Sequence, residues 1–349
     1  MTRRRRTATT AVLLSFTLLL AACDGDDGSV DPTPTATAGA SGTITVYSGR
    51  SEEFVASLFE RFTEATGVEV EVRYGDSAEL AAQILEEGEA SPADVFFAQD
   101  AGSLGVVADA GLLSPLSAEV LDRVEQRFRS DDGLWVGTSG RGRVAVYNTD
   151  ALADGDLPDS ILSFTDPEWK GRLGLAPTNS SFQAHVAAII ETEGEQVARE
   201  WLEGLMANEP TFYEDNGSTV RGVAAAEVEV GLVNHYYKFE VEAEDGDLPI
   251  ENHFFVPGDA GAFVNTAGVG ILASAANAAG AAAFVDYVTD DTGQTWVAEE
   301  TWEYPVAPGY EPSVDLLPIS EFRGPEVDLS SLGASLPQAL DLLAQVGMI

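Results

Sequence analysis

The order of apolar patterns along the chain is the feature that most restricts its fold. Alternating residues in 43–47 predict a strand, and apolar residues at helical spacing in 51–66 predict a helix. A strand over 68–72, a helix over 76–88 and a short apolar strand over 94–98 follow. Strands that alternate with helices in this way are typical of a mainly parallel, doubly wound sheet. We therefore predict an α/β protein.

The ends of these helices have capping residues. Ser51 suits the N-cap of the first helix and Gly67 suits the position after its last turn. Asp76 and Glu79 have capping-box spacing at the start of the second helix. The capping residues therefore predict the same helix boundaries as the apolar periodicity.

The alternation recurs along the rest of the chain. Further strands are predicted over 134–138, 143–147, 172–176 and 230–233, and further helices near 182–192, 195–206, 218–226 and 275–288. No repeat of fixed period is present, which excludes a solenoid. We predict a two-lobed periplasmic-binding-protein (Venus-flytrap) fold, in which each lobe is a doubly wound mixed sheet with flanking helices. Ligands of such folds bind in the crevice at the carboxyl ends of strands, here the loops 48–51, 99–100, 177–182 and 234–237.

The N-terminus predicts export. Arginines at 3–6 precede an apolar run over 11–20 that is too short to span a bilayer. The run ends in Leu20-Ala21-Ala22-Cys23, which resembles a lipobox, the site at which bacterial lipoproteins are acylated on cysteine and cleaved before it. An ordinary signal peptide with a chance cysteine is the alternative. Cys23 is the only cysteine, so no disulfide can form within the chain.

The segment 24–42 contains no large apolar residue except Val30, and we expect a disordered tether there. About 305 residues remain, enough for two domains. The predicted organisation is a lipoprotein signal peptide (1–22), an acylated cysteine with its tether (23–42), lobe 1 (43–143), lobe 2 (144–266), a return to lobe 1 (267–318) and a C-terminal segment that packs on lobe 2 (319–349). The strands near 138–148 and 266–274 are the predicted hinge.

The chain is strongly acidic. It has 18 Lys and Arg against 58 Asp and Glu, and without the four n-region arginines the formal net charge is near −44. Such a charge argues against nucleic acid and against an anionic membrane surface as partners. Membrane association is therefore expected only through the lipid anchor. Because acidity of this size is also typical of a surface adapted for solubility, for example in a saline habitat, it identifies no ligand.

Two adjacent tyrosines, Tyr236 and Tyr237, follow the predicted strand 230–233 directly. Paired tyrosines are commonly half-buried packing residues. They could also bind a trivalent hard cation, which prefers oxygen ligands. Phenol titrates near pH 10, so two phenolates at neutral pH require a cation that lowers their pKa. The residues alone leave both interpretations open.

Several stretches resemble one family along nearly the whole mature chain. They are ITVYSGRSEEF (44–54), SPADVFFAQDAG (91–102), LWVGTSGRGRVAVYN (134–148), FTDPEWKGRLGLAPT (164–178), GLVNHYYKFE (231–240) and EYPVAPG (303–309). With them the chain resembles the periplasmic ferric-ion-binding proteins of bacterial ABC importers. In that family two consecutive tyrosines bind Fe3+, and the resemblance implies this role for Tyr236 and Tyr237.

The resemblance also implies a synergistic anion, carbonate or phosphate, that completes the iron shell. The family holds it with a small polar loop and with asparagines, which match Asn179, Ser180, Ser181, Asn216 and Asn234. Hydroxyls, amides and backbone N–H groups at a helix start form an anion site. Without the resemblance, residues 179–181 would be interpreted as an N-cap cluster.

The chain departs from the family at auxiliary ligands. Ser51 stands where many members have a histidine, Gln99 where some have a glutamate, and Phe182 where others have a third tyrosine. Glu52 and Asp100, beside the first two positions, are candidate replacements. For each of these two, a carboxylate at a helix start or a hydrogen-bond partner is the favoured interpretation.

Other polar residues of these loops have open roles. Arg50 and either Arg141 or Arg143 are candidates to pair with the anion, and surface ion pairs are the alternative. His235 adjoins the tyrosines in sequence, but adjacent residues point apart, so we expect it at most behind the ligands.

These observations predict an extracytoplasmic solute-binding lipoprotein that captures Fe3+ and delivers it to an ABC permease and its ATPase. We expect a monomer anchored at the outer face of the cytoplasmic membrane or in the periplasm. An enzyme is not expected, because the three histidines lack metal-site spacing and no nucleophile or P-loop motif is present. The alternative is the same fold with thiamine, polyamine, phosphonate or sugar phosphate as ligand. A ligand with a cationic ring would require an aromatic cage, and Trp135 and Phe182 are candidates to form its walls together with the tyrosines.

Overall fold

A computed structural model describes residues 40–325, 327–329 and 331–349. The predicted signal peptide, Cys23 and most of the predicted tether lie outside the described residues. The strands are β1 (Thr43–Ser48), β2 (Glu69–Tyr74), β3 (Val95–Ala98), β4 (Leu113–Ser114), β5 (Trp135–Asn148), β6 (Leu173–Leu175), β7 (Thr211–Phe212), β8 (Val230–Asn234), β9 (Ile250–His253), β10 (Val264–Leu272) and β11 (Tyr304–Pro305). The helices are α1 (Glu52–Thr66), α2 (Ser77–Glu87), α3 (Ala101–Asp109), α4 (Ala118–Leu121), α5 (Ser180–Glu193), α6 (Glu195–Ala207), α7 (Asn216–Ala224), α8 (Tyr237–Asp245), α9 (Ala278–Thr289), α10 (Asp291–Glu300) and α11 (Leu332–Val346).

The strands pair in the order β2-β1-β3-β10-β5-β8-β6-β7, with β4 on β10 and with β9 and β11 on β5. β1 is parallel to β2 and β3, and β6 is parallel to β7 and β8. β10 is antiparallel to β3 and β5, and β5 is antiparallel to β8. The arrangement confirms the predicted mixed α/β architecture.

Strand β5 belongs to two groups of strands. Its residues 135–142 pair with β10, while its residues 143–148 pair with β8 and β9. We call β1–β4, β10, β11 and residues 135–142 the first strand group. The second strand group is β6–β9 with residues 143–148. The buried apolar side chains of both groups belong to one contiguous core.

The prediction of two strands over 134–138 and 143–147 was wrong, because one continuous strand covers 135–148. Glycines at 137, 140 and 142 lower the strand propensity of the segment between them. Close neighbours explain these glycines. A Cβ on Gly137 would lie 2.7 Å from the Phe128 carbonyl oxygen, and one on Gly142 would lie 2.5 Å from the Phe322 ring. The glycines therefore mark crowded places on a strand and not its end.

The predicted helix ends are largely confirmed. Gly67 has the left-handed conformation after α1, with φ 74°. The Asp76 carboxylate accepts a hydrogen bond from the Ala78 N–H at the start of α2. Ser51 is the N-cap of α1, although its side chain makes no capping hydrogen bond.

Helix α11 near the C-terminus lies between α3 and α5, which follow strands of different groups. A Cβ on Gly333 would lie 2.4 Å from the carbonyl carbon of Gly105, so glycine permits close contact with α3. On the other side, the Ser331 and Ser335 hydroxyls donate to the Glu191 carboxylate of α5. The predicted domain boundaries stay a prediction, and the contact of the C-terminal segment with α3 was not predicted.

Across the described ranges, the structure contains no helix with the length and apolar character needed to cross a bilayer.

Candidate ligand-binding site

Tyr236 and Tyr237 lie where β8 passes into α8. Tyr236 occupies the N-cap position of α8 and Tyr237 is the first residue of the helix. Their rings stack, with centroids 4.2 Å apart and planes at 29°. Tyr236 is buried, with 2% of its surface exposed, and its ring is 5.8 Å from that of Phe54 on α1. The pair therefore belongs to the second strand group but contacts a helix of the first.

Burial raises the pKa of both tyrosines, and that of Tyr236 well above its usual value of 10. The negative charge of Glu240 raises the pKa of Tyr237 further. The charges of Arg50 and Arg141 lower the pKa of Tyr236 but do not outweigh burial. Without a ligand both side chains are neutral phenols at neutral pH. Only a strong cation at their oxygens would ionise them.

Three buried arginines surround the tyrosines: Arg50 after β1, and Arg141 and Arg143 on β5. A buried carboxylate, that of Glu303 before β11, pairs with two of them. Its Oε1 accepts a hydrogen bond from Arg50 Nη1 at 2.9 Å and lies 3.8 Å from Arg141 Nε. Burial alone would raise the pKa of Glu303, but the charges of Arg50 and Arg141 outweigh it and the pKa is lowered.

Arg141 is fully buried, yet none of its three guanidinium nitrogens donates a hydrogen bond within the part of the chain that the structure describes. Arg143 donates to Asn234 Oδ1 at 3.1 Å and to the Leu232 carbonyl at 2.7 Å, and its Nε is without a hydrogen bond. Burial lowers the pKa of Arg143 to about 9, although the phenol groups act in the opposite direction. Buried cationic donors of this kind require an anion or water as partner.

The predicted anion loop forms one hydrogen-bonded cluster with the two asparagines. Asn179 Oδ1 accepts from the Ser181 N–H at 3.0 Å and from Asn216 Nδ2 at 3.1 Å. Asn234 Nδ2 donates to Ser181 Oγ at 3.1 Å. Asn216 also contacts Tyr237, where its amide lowers the pKa of the phenol, and its own Oδ1 is buried without a hydrogen bond.

The start of α5 also contacts the first strand group. Ser180 Oγ donates to Asp76 Oδ1 at 2.8 Å, and Ser181 Oγ donates to Gln99 Oε1 at 3.2 Å. These contacts join the end of β6 to the ends of β2 and β3. Ser180 therefore bonds to a carboxylate here, and its predicted part in anion binding stays a prediction.

The four candidate auxiliary residues are placed differently. Ser51 and Glu52 are exposed at the start of α1. Gln99 is half-buried and bonds to the anion loop. Asp100 is buried and caps α3 by accepting from Ser103 N–H and Oγ, at 2.7 and 2.9 Å. Burial raises the pKa of Asp100 to about 6.

His235 lies behind the tyrosines, as predicted. Its Nδ1 accepts from the Gly142 N–H at 3.2 Å, so Nε2 bears the hydrogen and donates to the Trp302 carbonyl at 3.0 Å. Burial lowers its pKa to about 4, which keeps the ring neutral. The histidine therefore supports the backbone around the site.

The aromatic cage that the alternative ligand required is not formed. Phe182 is buried and stacks on Trp201, with ring centroids 6.0 Å apart. In the described chain, the ring contacts of the tyrosine pair are with Phe54 and His235. A cationic ring would also meet the surplus positive charge of the arginines.

Two residues near the tyrosines were missed by sequence reasoning. Glu303 begins the stretch 303–309, which the sequence analysis used only for the family resemblance, and no spacing rule links it to Arg50. Glu240 follows Tyr236 by four residues, which is the spacing of neighbours on one helix face. The sequence therefore contained a signal for Glu240 but none for Glu303.

The donors present fit a hard trivalent cation. No group of three or more His, Cys, Asp or Glu that could hold a metal occurs in the described ranges 40–325, 327–329 and 331–349. Two phenol oxygens side by side, next to unpartnered cationic donors, provide oxygen ligands for a metal and a place for an anion.

Two strand groups joined by a shared strand, with polar strand ends that converge between them, define a two-lobed extracellular binding protein. The chain belongs to the family described as bacterial extracellular solute-binding protein, whose model matches residues 90–317. It is 35% identical over 309 residues to the Fe(3+)-binding periplasmic protein of Serratia marcescens, covering 88% of this chain and 90% of the relative. It is 34% identical over 313 residues to the major ferric iron-binding protein of Neisseria meningitidis serogroup B, covering 87% and 93%.

Solved structures of iron-bound proteins also resemble this chain. Iron-bound HitA from Pseudomonas aeruginosa superposes with a TM-score of 0.84 at 35% identity and covers 87% of this chain and 99% of that one. The Trichodesmium protein IdiA (FutA), in complex with iron and citrate, superposes with a TM-score of 0.73 at 30% identity, covering 87% and 99%. These relatives are described by the iron that they bind and not by a reaction, in agreement with the prediction that the chain is not an enzyme.

Proposed function

We propose that this chain captures Fe3+ through the phenolate oxygens of Tyr236 and Tyr237, together with a synergistic anion, and delivers it to an ABC permease. The observation that supports this most is the stacked tyrosine pair, with Tyr236 buried and Tyr237 half-buried, beside arginines with unused donors. The names of the relatives in Serratia marcescens and Neisseria meningitidis, both iron-binding, support the same ligand.

The balance of charge supports an anion. In the ligand-free site three buried arginines outnumber the buried carboxylates of Glu303 and Asp100, while both phenols are neutral. Fe3+ with two phenolates would add a further positive charge to this surplus. Burying so much positive charge is unfavourable unless an anion accompanies the metal. Carbonate or phosphate, each with several acceptor oxygens, would meet this need.

The anion would bind between the arginines and the predicted loop. Arg141 has three nitrogens without a hydrogen bond, and the loop cluster adjoins the same site, because Asn234 bonds to Arg143 and Asn216 contacts Tyr237. Because the loop side chains already bond to one another, the arginines would supply most of the binding free energy. Arg50 and Arg143 would add charge without releasing their present partners.

The test is an absorption titration of the purified protein with Fe3+. A visible charge-transfer band from tyrosinate to Fe3+ is expected for the wild type. Replacing both Tyr236 and Tyr237 with Phe must abolish the band and tight binding while the thermal midpoint without iron stays close to that of the wild type. Tyr213→Phe is the control, since its hydroxyl bonds to Glu227 at the surface. Tight Fe3+ binding by the double variant would refute the proposal.

The anion is tested by repeating the titration with and without bicarbonate or phosphate. Wild-type affinity for Fe3+ should rise when either anion is present, because the anion cancels the surplus positive charge. Arg141→Gln should lose this dependence and keep a weakened charge-transfer band. Equal dependence on the anion in both proteins would exclude Arg141 from the anion site.

A second candidate is a phosphonate or sugar phosphate as the sole ligand, which the free guanidinium of Arg141 favours. Thiamine and polyamines are disfavoured because they are cationic. A phosphate monoester that stabilises the protein thermally without iron, together with no coloured complex on addition of Fe3+, would support this second candidate.

The proposal also includes how the protein is held at the membrane and how it closes on its ligand. We propose a lipid anchor at Cys23 and a location in the cell envelope, with capture as a monomer and hinge closure through 138–148 and 266–274. Mass spectrometry of the mature N-terminal peptide would detect the acyl groups. Cys23→Ala should release the protein from the membrane fraction, and retention of that variant there would contradict the anchor.

A further inference from the structure

Glu240 lies on the tyrosine face of α8. It follows Tyr237 by three residues and Tyr236 by four, so all three side chains share one side of the helix. Side chains on a helix lean toward its N-terminus, which directs Glu240 back toward the tyrosines. The same spacing is used by metal sites built on one helix face. The charge of Glu240 acts directly on the phenol of Tyr237.

The carboxylate of Glu240 has no competing partner. It is half-buried, and within the described residues it accepts no hydrogen bond and forms no ion pair. The charged groups that act on it are Arg50 and Arg221, which are favourable, and Glu244 and Glu303, which are unfavourable. A free carboxylate in such a place is costly unless a cation arrives.

The other nearby carboxylates are engaged. Glu303 bonds through one oxygen to Arg50 and through the other to Ser139. Asp100 uses its oxygens to cap α3, and Glu52 is exposed. Glu240 is therefore the carboxylate that is best placed to act on a metal at the tyrosines.

We propose that Glu240 supplies a carboxylate oxygen to the Fe3+ bound by Tyr236 and Tyr237, which makes this a Tyr-Tyr-Glu site. The proposal rests on the proposed function. A third anionic oxygen offsets part of the charge of the trivalent ion. The ion in turn keeps the carboxylate ionised.

The experiment compares the wild type with Glu240→Gln and Glu240→Ala in Fe3+ titrations against citrate as competitor. Both variants should bind Fe3+ at least about tenfold more weakly. The charge-transfer band should move to longer wavelength, because an iron ion that loses an anionic ligand accepts charge from tyrosinate more readily. Glu244→Gln is the matched control. It removes a carboxylate one turn further along α8 that is bonded to Arg221, and it should leave the band and affinity unchanged.

The outcomes separate the two proposals. If both Glu240 variants keep the wild-type band position and affinity while the double tyrosine variant loses the band, Glu240 is not a ligand and the proposed function stands. If the wild type shows no band, both proposals fail. A merely structural role is excluded by equal thermal midpoints of the iron-free proteins. If one variant folds poorly, the other provides the comparison.

Discussion

The buried cluster around Glu303 gives a prediction whose size can be worked out from the structure. Glu303 is 1% exposed and bonds to Arg50 Nη1 at 2.9 Å, while Arg141 Nε lies 3.8 Å away. In Glu303→Gln the side chain keeps its shape but loses its charge. Two buried guanidinium groups are then left without a negative partner.

Breaking a buried ion pair on one side costs about 3–5 kcal/mol. Unfolding entropy is about 2.1 cal/mol/K per residue, or roughly 0.64 kcal/mol/K for the ~305 residues of the globular part. The thermal midpoint of Glu303→Gln should therefore fall by about 5–8 °C. The surplus charge of the variant attracts anions. Added phosphate should therefore raise the thermal midpoint of Glu303→Gln more than it raises that of the wild type.

The assay is thermal unfolding of the iron-free protein, followed by circular dichroism with and without phosphate. Glu300→Gln is the control, because its pair with Arg61 is on the surface, with side chains 35% and 47% exposed. An exposed pair contributes about 0–1 kcal/mol, so this midpoint should change by less than about 2 °C. If both variants lie within 1 °C of the wild type, the buried cluster does not stabilise the fold as argued.

Two further predictions concern the fold. His185 is buried and its Nε2 donates to the Ala260 carbonyl at 2.8 Å; burial lowers its pKa to about 3, below the unfolded value of 6.5. The unfolded chain therefore takes up a proton that the native state does not, so stability should fall as pH drops from 6.5 toward 3, by up to about 1.4 kcal/mol per pH unit. Urea unfolding at pH 7 and pH 5 should show a smaller difference for His185→Leu than for the wild type, and an unchanged difference would contradict the account. Gly333→Ala places a Cβ 2.4 Å from the Gly105 backbone, so it should lower the free energy of unfolding by about 1–3 kcal/mol. Gly155→Ala is the control and should be near neutral, because its Cβ would meet nothing within 4 Å. Equal urea midpoints of the two variants would disprove the close contact between α3 and α11.

Elements with strong local signals were predicted well. β1, α1, β2 and α2 were placed within about two residues, because their apolar period and caps are encoded in adjacent residues. Helix α11 was missed. It contains Pro337, a residue that lowers the expectation of a helix, and it is held by contacts with α3 and α5.

Within the site, the sequence determined which residues follow each strand. The rule that strand ends meet at one edge then predicted that Asn234 and residues 179–181 would come together, and Asn234 Nδ2 does donate a hydrogen bond to Ser181 Oγ. The pairing of Arg50 with Glu303 could not be predicted in this way. These residues are 253 positions apart in the chain, and no local period connects them.

The sequence by itself therefore determined the order of elements, the α/β class and the loops in which ligand-binding residues lie, because these depend on local periodicity and on chain order. Tertiary structure alone decided which polar groups are left without partners. In the sequence, Arg141 is one of several candidates to pair with an anion, and Glu240 looks like an ordinary surface charge. Folding brings both near the tyrosine pair, half-buries Glu240, and buries Arg141 without giving its guanidinium a hydrogen bond.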